Sequence, residues 1–162
     1  MSLLPDERPV PGFPGYTATS DGRVFSTRPW RGSTERRLLR GGVGAHGYRS
    51  IVLCDGRHRR SREVHAIIAE TFHGPRPPGM DVRHLDGDKA NNAASNLRYG
   101  TRGENLRDAV RHGTHYNAKK THCPAGHPYD DANTYIVPRT GDRSCRICRR
   151  SRGRLKWSTR AA

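Results

Sequence analysis

The tightest constraint on how this chain can fold comes from four residues. Cys123 and His127 stand at C-x3-H spacing, and after a 17-residue gap Cys145 and Cys148 stand at C-x2-C spacing. Each close pair spans one edge of a tetrahedron and the loop brings the two pairs together, which is what a Cys3His zinc site requires. Between Cys123 and Cys148 there are too few apolar residues for an ordinary core, so a Zn2+ ion is expected to supply the folding free energy there. Its role would be structural, because protein fills all four ligand places. His122 is the poorer ligand, since adjacent side chains point apart. The fourth cysteine, Cys54, stands alone, and this usage fits a reducing compartment better than a disulfide framework.

The rest of the composition agrees with small modules rather than one large core: 162 residues contain 18 Gly, 11 Pro and only 32% hydrophobic residues. Thirty Lys and Arg against 15 Asp and Glu give a formal net charge of +15. Such an excess attracts a polyanion, and nucleic acid is the expected partner, because each neutralised phosphate releases condensed counterions. Membrane binding is not expected. There is no basic amphipathic helix with a broad apolar face and no uncharged apolar run long enough to cross a bilayer. The first residues, MSLLPDERPVPGFPG, have no apolar core followed by a cleavage site, so the expected location is cytoplasmic.

Residues 11 to 55 alternate turn residues with short β-favouring runs at Tyr16–Thr19, Arg23–Ser26 and Tyr48–Leu53. Between them, Arg31 to Gly47 reads as an exposed basic loop or ribbon carrying Arg36, Arg37 and Arg40, able to track phosphates or simply to be solvated. From Glu63 to His73 the period becomes helical, with Val64, Ile67, Ile68 and Phe72 on one stripe. A short apolar run from Met80 to Leu85, a long polar turn and a second run from Leu97 to Thr101 follow. Thr101-Arg102-Gly103-Glu104 then forms a capping box, predicting a helix to about Arg111 that closes at Gly113, with Leu106, Ala109 and Val110 as its buried side. His65, in the earlier helix, is expected to pack and hydrogen-bond within the core.

The chemistry is concentrated in Asp81 to Leu97, followed by Glu104-Asn105. Packing a two-stranded ribbon on a helix can bring the end of the first strand beside the first turn of the helix, although 21 positions separate His84 from Asn105. A neutral imidazole can then take a proton from water while the helix residue holds a metal against a phosphate.

This stretch resembles the HNH endonucleases of the phage and intron-encoded homing type. The points of likeness are the histidine ending one strand, the Asp, Gly and Asn-rich turn, the Asn96-Leu97 opening the next strand, and Glu104-Asn105 on the helix. The resemblance implies an α+β protein with a ββα-metal core of the His-Me finger type. It implies His84 as general base, Asn105 as ligand of a divalent ion, Mg2+ or Mn2+, and Asn96 as the amide that pins the turn. Where many members carry an acidic second ligand this chain has Arg83, whose guanidinium has no acceptor atom and cannot bind a cation. Either Asp81 or Asp86 reaches the metal, or water and substrate phosphate complete its shell, or the site is impaired.

Pro14-Gly15-Tyr16, Ser20 to Ser26 and Gly47-Tyr48 resemble the small module that often precedes HNH domains in phage homing enzymes, although its usual opening Trp is missing. At the other end, Arg149, Arg150, Arg152, Arg154 and Lys156 follow the zinc segment as a basic helix or arm suited to phosphates. Arg83 joins Arg36, Arg37 and Arg40 as a further candidate contact.

The expected organisation is a β-rich module at 10–58, the HNH domain at 59–113 with its ββα core at about 80–113, a linker at 114–122, and a zinc-binding basic segment at 123–162. The expected activity is metal-dependent cleavage of double-stranded DNA by a monomer or homodimer, nicking one strand or cutting both. The rivals are a DNA-binding protein that keeps the scaffold without the chemistry and, more remotely, an RNA-binding protein of the zinc-knuckle sort.

Overall fold

The computed structural model describes residues 6–139 and 141–158, with the side chains of 153–158 excepted. Short strands separated by turn residues make its first half. Strands β1 (Glu7–Pro9), β2 (Tyr16–Thr19), β3 (Val24–Ser26) and β4 (Arg37–Leu38) form an antiparallel sheet in sequence order. A second antiparallel sheet contains β5 (Gly42–Val43), β6 (Arg49–Cys54) and β7 (Arg59–Glu63). In β6 the alternation is strict, with Ile51 and Leu53 buried and Val52 turned out. Strand β7 has no apolar residue and was not expected. It forms because its backbone pairs with β6 over five residues, Arg59↔Cys54 to Glu63↔Ser50.

Helix α1 (Val64–His73) buries Val64, Ile67, Ile68 and Ala69, as its period predicts. A ribbon follows, β8 (Asp81–His84) paired with β9 (Leu97–Gly100), with His84 opposite Leu97 and Arg83 opposite Arg98. One 3-10 turn, Ala94–Asn96, leads into β9. Helix α2 (Arg102–Arg111) starts at Thr101 with the full capping box: Thr101 Oγ1 accepts from the Glu104 N–H, and Glu104 accepts from the Thr101 N–H.

One apolar cluster joins these pieces: Ala18 and Val24 from the first sheet, Leu53 from the second, Ile67 and Ile68 from α1, and Leu97 from β9. The expected segments 10–58 and 59–113 therefore share one core, and the chain divides instead between His112 and Gly113.

The ribbon has two unlike faces. His84 and Val82 face the core side with Leu97 and Tyr99, while Arg83 and Gly100 face α2. This corrects the expected buried side of α2. Leu106 and Val110 are about half exposed, and the buried residue of the helix is Asp108. The helix lies against the polar face of the ribbon, where a carboxylate paired with Arg83 fits and a leucine stripe has nothing apolar to meet.

The second unit, from Gly113 on, contains the hairpin β10 (Thr134–Ile136) and β11 (Arg143–Cys145) and helix α3 (Arg146–Ser158). Residues 114–122, expected as a linker, belong to this unit: the Arg143 guanidinium donates to the carbonyls of Asn117, Ala118 and Lys120. Among the described residues no helix is long and apolar enough to cross a membrane.

Candidate active site and metal centre

His84 ends β8 with only 7% of its surface exposed. The turn that follows is closed by its own polar groups. Leu85 N–H donates to Asn96 O at 2.9 Å and Gly87 N–H to His84 O at 3.2 Å. Asn96 Nδ2 donates to Asp86 Oδ1 and to Asn91 O, both at 2.9 Å, while its Oδ1 accepts from the Asp86 N–H at 3.1 Å. The Asn96 amide thus spans the turn. The imidazole itself meets a different residue: His84 Nε2 lies 3.3 Å from Asn92 Oδ1.

Three rings gather here. Tyr48 from the loop before β6, His65 from α1 and His84 have centroids 4.7 Å (Tyr48–His65), 5.3 Å (His65–His84) and 6.0 Å (Tyr48–His84) apart. His65 is buried as expected, with Glu63 Oε2 3.4 Å from its Nε2. Its place beside His84 was not legible in the sequence, because it depends on how α1 packs on the ribbon. Burial, then the neighbouring His84, push the His65 pKa down to about 4. Burial also lowers the pKa of His84, opposed by the Asn92 contact and by Asp86 and Asp88, and assisted by Lys89. The outcome is a neutral imidazole at neutral pH, the state a general base needs.

Asn105 is half-buried on α2, one turn after Thr101, whose carbonyl accepts its N–H at 3.1 Å. What ties α2 to β8 is Arg83. Its Nε and Nη2 donate to Asp108 Oδ2 at 2.8 and 2.5 Å, and Nη1 lies 3.6 Å from Glu104 Oε1. A Cβ at Gly100 would come within 2.4 Å of Arg83 Cδ, so the glycine makes room for the arginine stem. Arg83 directly precedes His84 on β8, and Asn105 sits between Glu104 and Asp108 on α2, so this brace ties the strand that ends in His84 to the helix that bears Asn105.

The donor set suits a hydrated divalent ion and no closed protein cage. Arg83 offers no acceptor, Asp108 and Glu104 face its guanidinium, and both Asp86 oxygens accept hydrogen bonds inside the turn. Asn105 on α2 and Asp81 on β8 remain as the candidate oxygen donors, and Mg2+ readily keeps several waters.

The expected phosphate contacts divide into two groups. Arg36 is turned inward, 3.0 Å from the buried Glu7 carboxylate and 3.5 Å above the Phe25 ring, as Arg83 is turned toward Asp108. Both stand among the expected phosphate contacts, and each has a carboxylate partner within the protein. Arg40, Arg149, Arg150 and Arg152 are exposed, and Arg37 lies over the exposed Trp30. The side chains of Arg154 and Lys156 lie outside the described residues.

In the second unit Cys123, His127, Cys145 and Cys148 converge, all four ligand atoms lying within 4.8 Å of one another. Cys123 Sγ is 3.7 Å from Cys148 Sγ, and His127 Nδ1 is 3.4 to 3.7 Å from the three sulfurs. A tetrahedron with metal–sulfur bonds of about 2.3 Å has sulfur–sulfur edges of roughly 3.8 Å, so a zinc ion fits. Burial raises the Cys145 thiol, while the Cys148 N–H and the neighbouring cysteines lower it to about 6, and the partnered Cys148 thiol is pushed up to about 11, so the adjoining sulfurs share the proton unevenly. The residue missed from sequence is Asn133, buried beneath the cluster. Its Oδ1 accepts from the Ile147 N–H at 3.1 Å and the Cys145 thiol at 3.4 Å, and its Nδ2 donates to Pro128 O at 2.5 Å. An Asn inside a loop between ligand pairs gives no signal of that kind.

Residues 62–107 match the family described as HNH endonuclease, and the chain carries an HNH endonuclease domain. It is homologous to the DNA endonuclease I-HmuI of Bacillus phage SP01, to which it is 31% identical over 106 residues, 65% of this chain and 58% of that protein. The uncharacterized HNH endonuclease L247 of Acanthamoeba polyphaga mimivirus is 31% identical over 107 residues, 64% of this chain and 25% of that protein. A solved structure described as DNA binding and cleavage by the HNH homing endonuclease I-HmuI aligns with TM-score 0.57 at 28% identity, covering 67% of this chain and 59% of that one. The chain thus spans less than two thirds of the length of each of these relatives.

Proposed function

We propose that this protein is a metal-dependent DNA endonuclease of the homing type, hydrolysing phosphodiester bonds in double-stranded DNA with His84 as general base. The observation that carries this reading is the buried imidazole of lowered pKa at the end of β8, braced through Arg83 to the helix that bears Asn105. His84 accepts the proton of the attacking water. Asn96 holds the turn that carries it. Asn105 holds the Mg2+ or Mn2+ ion, which when bound stabilises charge on the phosphoryl and leaving 3′ oxygens.

Arg37, Arg40, Arg149, Arg150 and Arg152 contact phosphates, with Arg154 and Lys156 continuing the same basic run. Arg36 and Arg83 act from within, by fixing the elements they join. A structural Zn2+ at Cys123, His127, Cys145 and Cys148 organises the second unit, and the protein works in the cytoplasm that holds its substrate. One active site per chain cuts one strand at a time, so a monomer nicks first and a double-strand break requires a homodimer or a second visit. Arg83 favours one rival reading, a DNA-binding protein on the same scaffold without the chemistry.

The test is conversion of supercoiled plasmid, carrying the gene's own neighbourhood, to open circle by the purified protein with Mg2+ or Mn2+. Controls are EDTA, His84→Ala and Asn105→Ala at fixed salt. The expected result is metal-dependent nicking reduced about 10²- to 10⁴-fold in His84→Ala. Tight DNA binding with no product from the wild type overturns the reading in favour of the silent binding protein.

A further inference from the structure

The contact between His84 and Asn92 fixes more than the position of the ring. Asn92 is 7% exposed and makes two side-chain hydrogen bonds. Its Nδ2 donates to Ala90 O at 3.2 Å, which settles the orientation of the amide and leaves Oδ1 facing His84 Nε2 at 3.3 Å. A carbonyl oxygen only accepts, so the imidazole nitrogen opposite it must carry the hydrogen. The remaining lone pair is then on Nδ1. Tyr48 and His65 pack beside the same ring and oppose its turning over.

Asn92 is in turn seated by a turn of the first sheet, some seventy residues earlier in the chain. The Ser20 carbonyl accepts from the Ala94 N–H at 2.7 Å. Gly22, at φ +93°, lies so close that a Cβ there would sit 2.7 Å from the Asn92 carbonyl carbon and oxygen. Both the backbone conformation and the clearance exclude a side chain at Gly22.

We propose that Asn92 is a positioning residue that holds His84 in the tautomer protonated on Nε2, making Nδ1 the basic atom, and that the Ser20–Gly22 turn keeps Asn92 in place. This deepens the proposed function and rests on its assignment of His84 as the base. In a base that must accept a proton at one atom, the wrong tautomer is inactive until it rearranges, so the effect falls on turnover and not on DNA affinity.

The experiment is a two-bond proton–nitrogen correlation spectrum of the full zinc-loaded chain labelled with 15N histidine, at pH 7.5, with His84 signals assigned by their loss in His84→Gln. The wild type is expected to show His84 protonated on Nε2 and unprotonated on Nδ1. Asn92→Ala should mix the two tautomers and lower kcat by roughly 10- to 100-fold with KM for plasmid unchanged, a part of what general base catalysis contributes. Asn92→Asp keeps an acceptor at the same place and should retain the wild-type tautomer, which preserves a readout if the alanine variant does not fold. Gly22→Ala should give the alanine signature in weaker form. A wild-type His84 protonated on Nδ1, or an Asn92→Ala protein with unchanged tautomer and kcat, overturns the proposal. If His84→Gln leaves cleavage intact, the assignment of the base falls, while the spectrum still decides the tautomer separately.

Discussion

The two units of this chain solve the problem of a sparse core in opposite ways. The first gathers apolar side chains from two sheets, α1 and β9 into one cluster, with Leu53, Ile68 and Leu97 fully buried. In the second, the buried hydrophobic residues among those described are Cys123 and Cys145, two of the four metal ligands. Burial of apolar surface can hold the first unit alone. The second has little to bury except the ligands themselves, so its order should depend on an ion. The lesson is that a basic, glycine-rich chain can still present an ordered ribbon, provided the limited apolar content is concentrated beneath it.

The sharpest way to break this contrast is to remove zinc. A strong chelator, or Cys145→Ser, should abolish amide protection across the second unit while the first stays protected in hydrogen exchange. The free energy at stake is about 10–16 kcal/mol for structural zinc in small domains. Loss of protection in both units together would show that they do not stand independently.

Next in size is the brace. Arg83→Met leaves the Asp108 carboxylate, whose side chain is only 6% exposed, without its main partner, and urea melts should show a loss of about 3–5 kcal/mol. Arg83→Met with Asp108→Leu should restore most of that stability, since replacing both members of a buried pair by apolar groups is often neutral. If the single variant is as stable as the wild type, the brace is only a surface contact.

A pH titration probes the ring cluster. The folded pKa of His65 is about 4, below the ordinary value of 6.5 that applies to the unfolded chain. Above 6.5 neither state binds the proton. As pH falls from 6.5 toward 4 the unfolded chain takes up a proton that the folded state refuses, so stability declines by about 3 kcal/mol across that window. His65→Gln should remove most of the slope. The lowered pKa of His84 has the matching consequence for activity: the acid limb of the cleavage profile should lie below the usual imidazole value, with Asp86 and Asp88 limiting the shift.

The smallest expected effect concerns α2. Leu106→Ser and Val110→Thr should each change stability by no more than about 0.5 kcal/mol, because both side chains face outward. Leu97→Ala, in the core, should cost about 2–5 kcal/mol. A large cost at Leu106 would restore the expected apolar face.

The sequence by itself determined whatever is local. The capping box at Thr101 and Glu104, the turn closed by Asn96, the stripe of α1 and the spacing of Cys123, His127, Cys145 and Cys148 each depend on residues a few positions apart, or on metal geometry that spacing alone expresses. The β-favouring run at Tyr48–Leu53 was legible for the same reason, and β7 was not, because its pairing owes nothing to its side chains. The tertiary structure decided which partner each polar group found. Arg83 meets Asp108 across 25 positions, His84 stands beside His65 and Tyr48, and Asn92 touches both the His84 imidazole and a turn of the first sheet. A helical period reports that one side of a helix differs from the other, but whether that helix meets an apolar or a charged surface is a property of the neighbour, and the neighbour of α2 is the polar face of the β8–β9 ribbon.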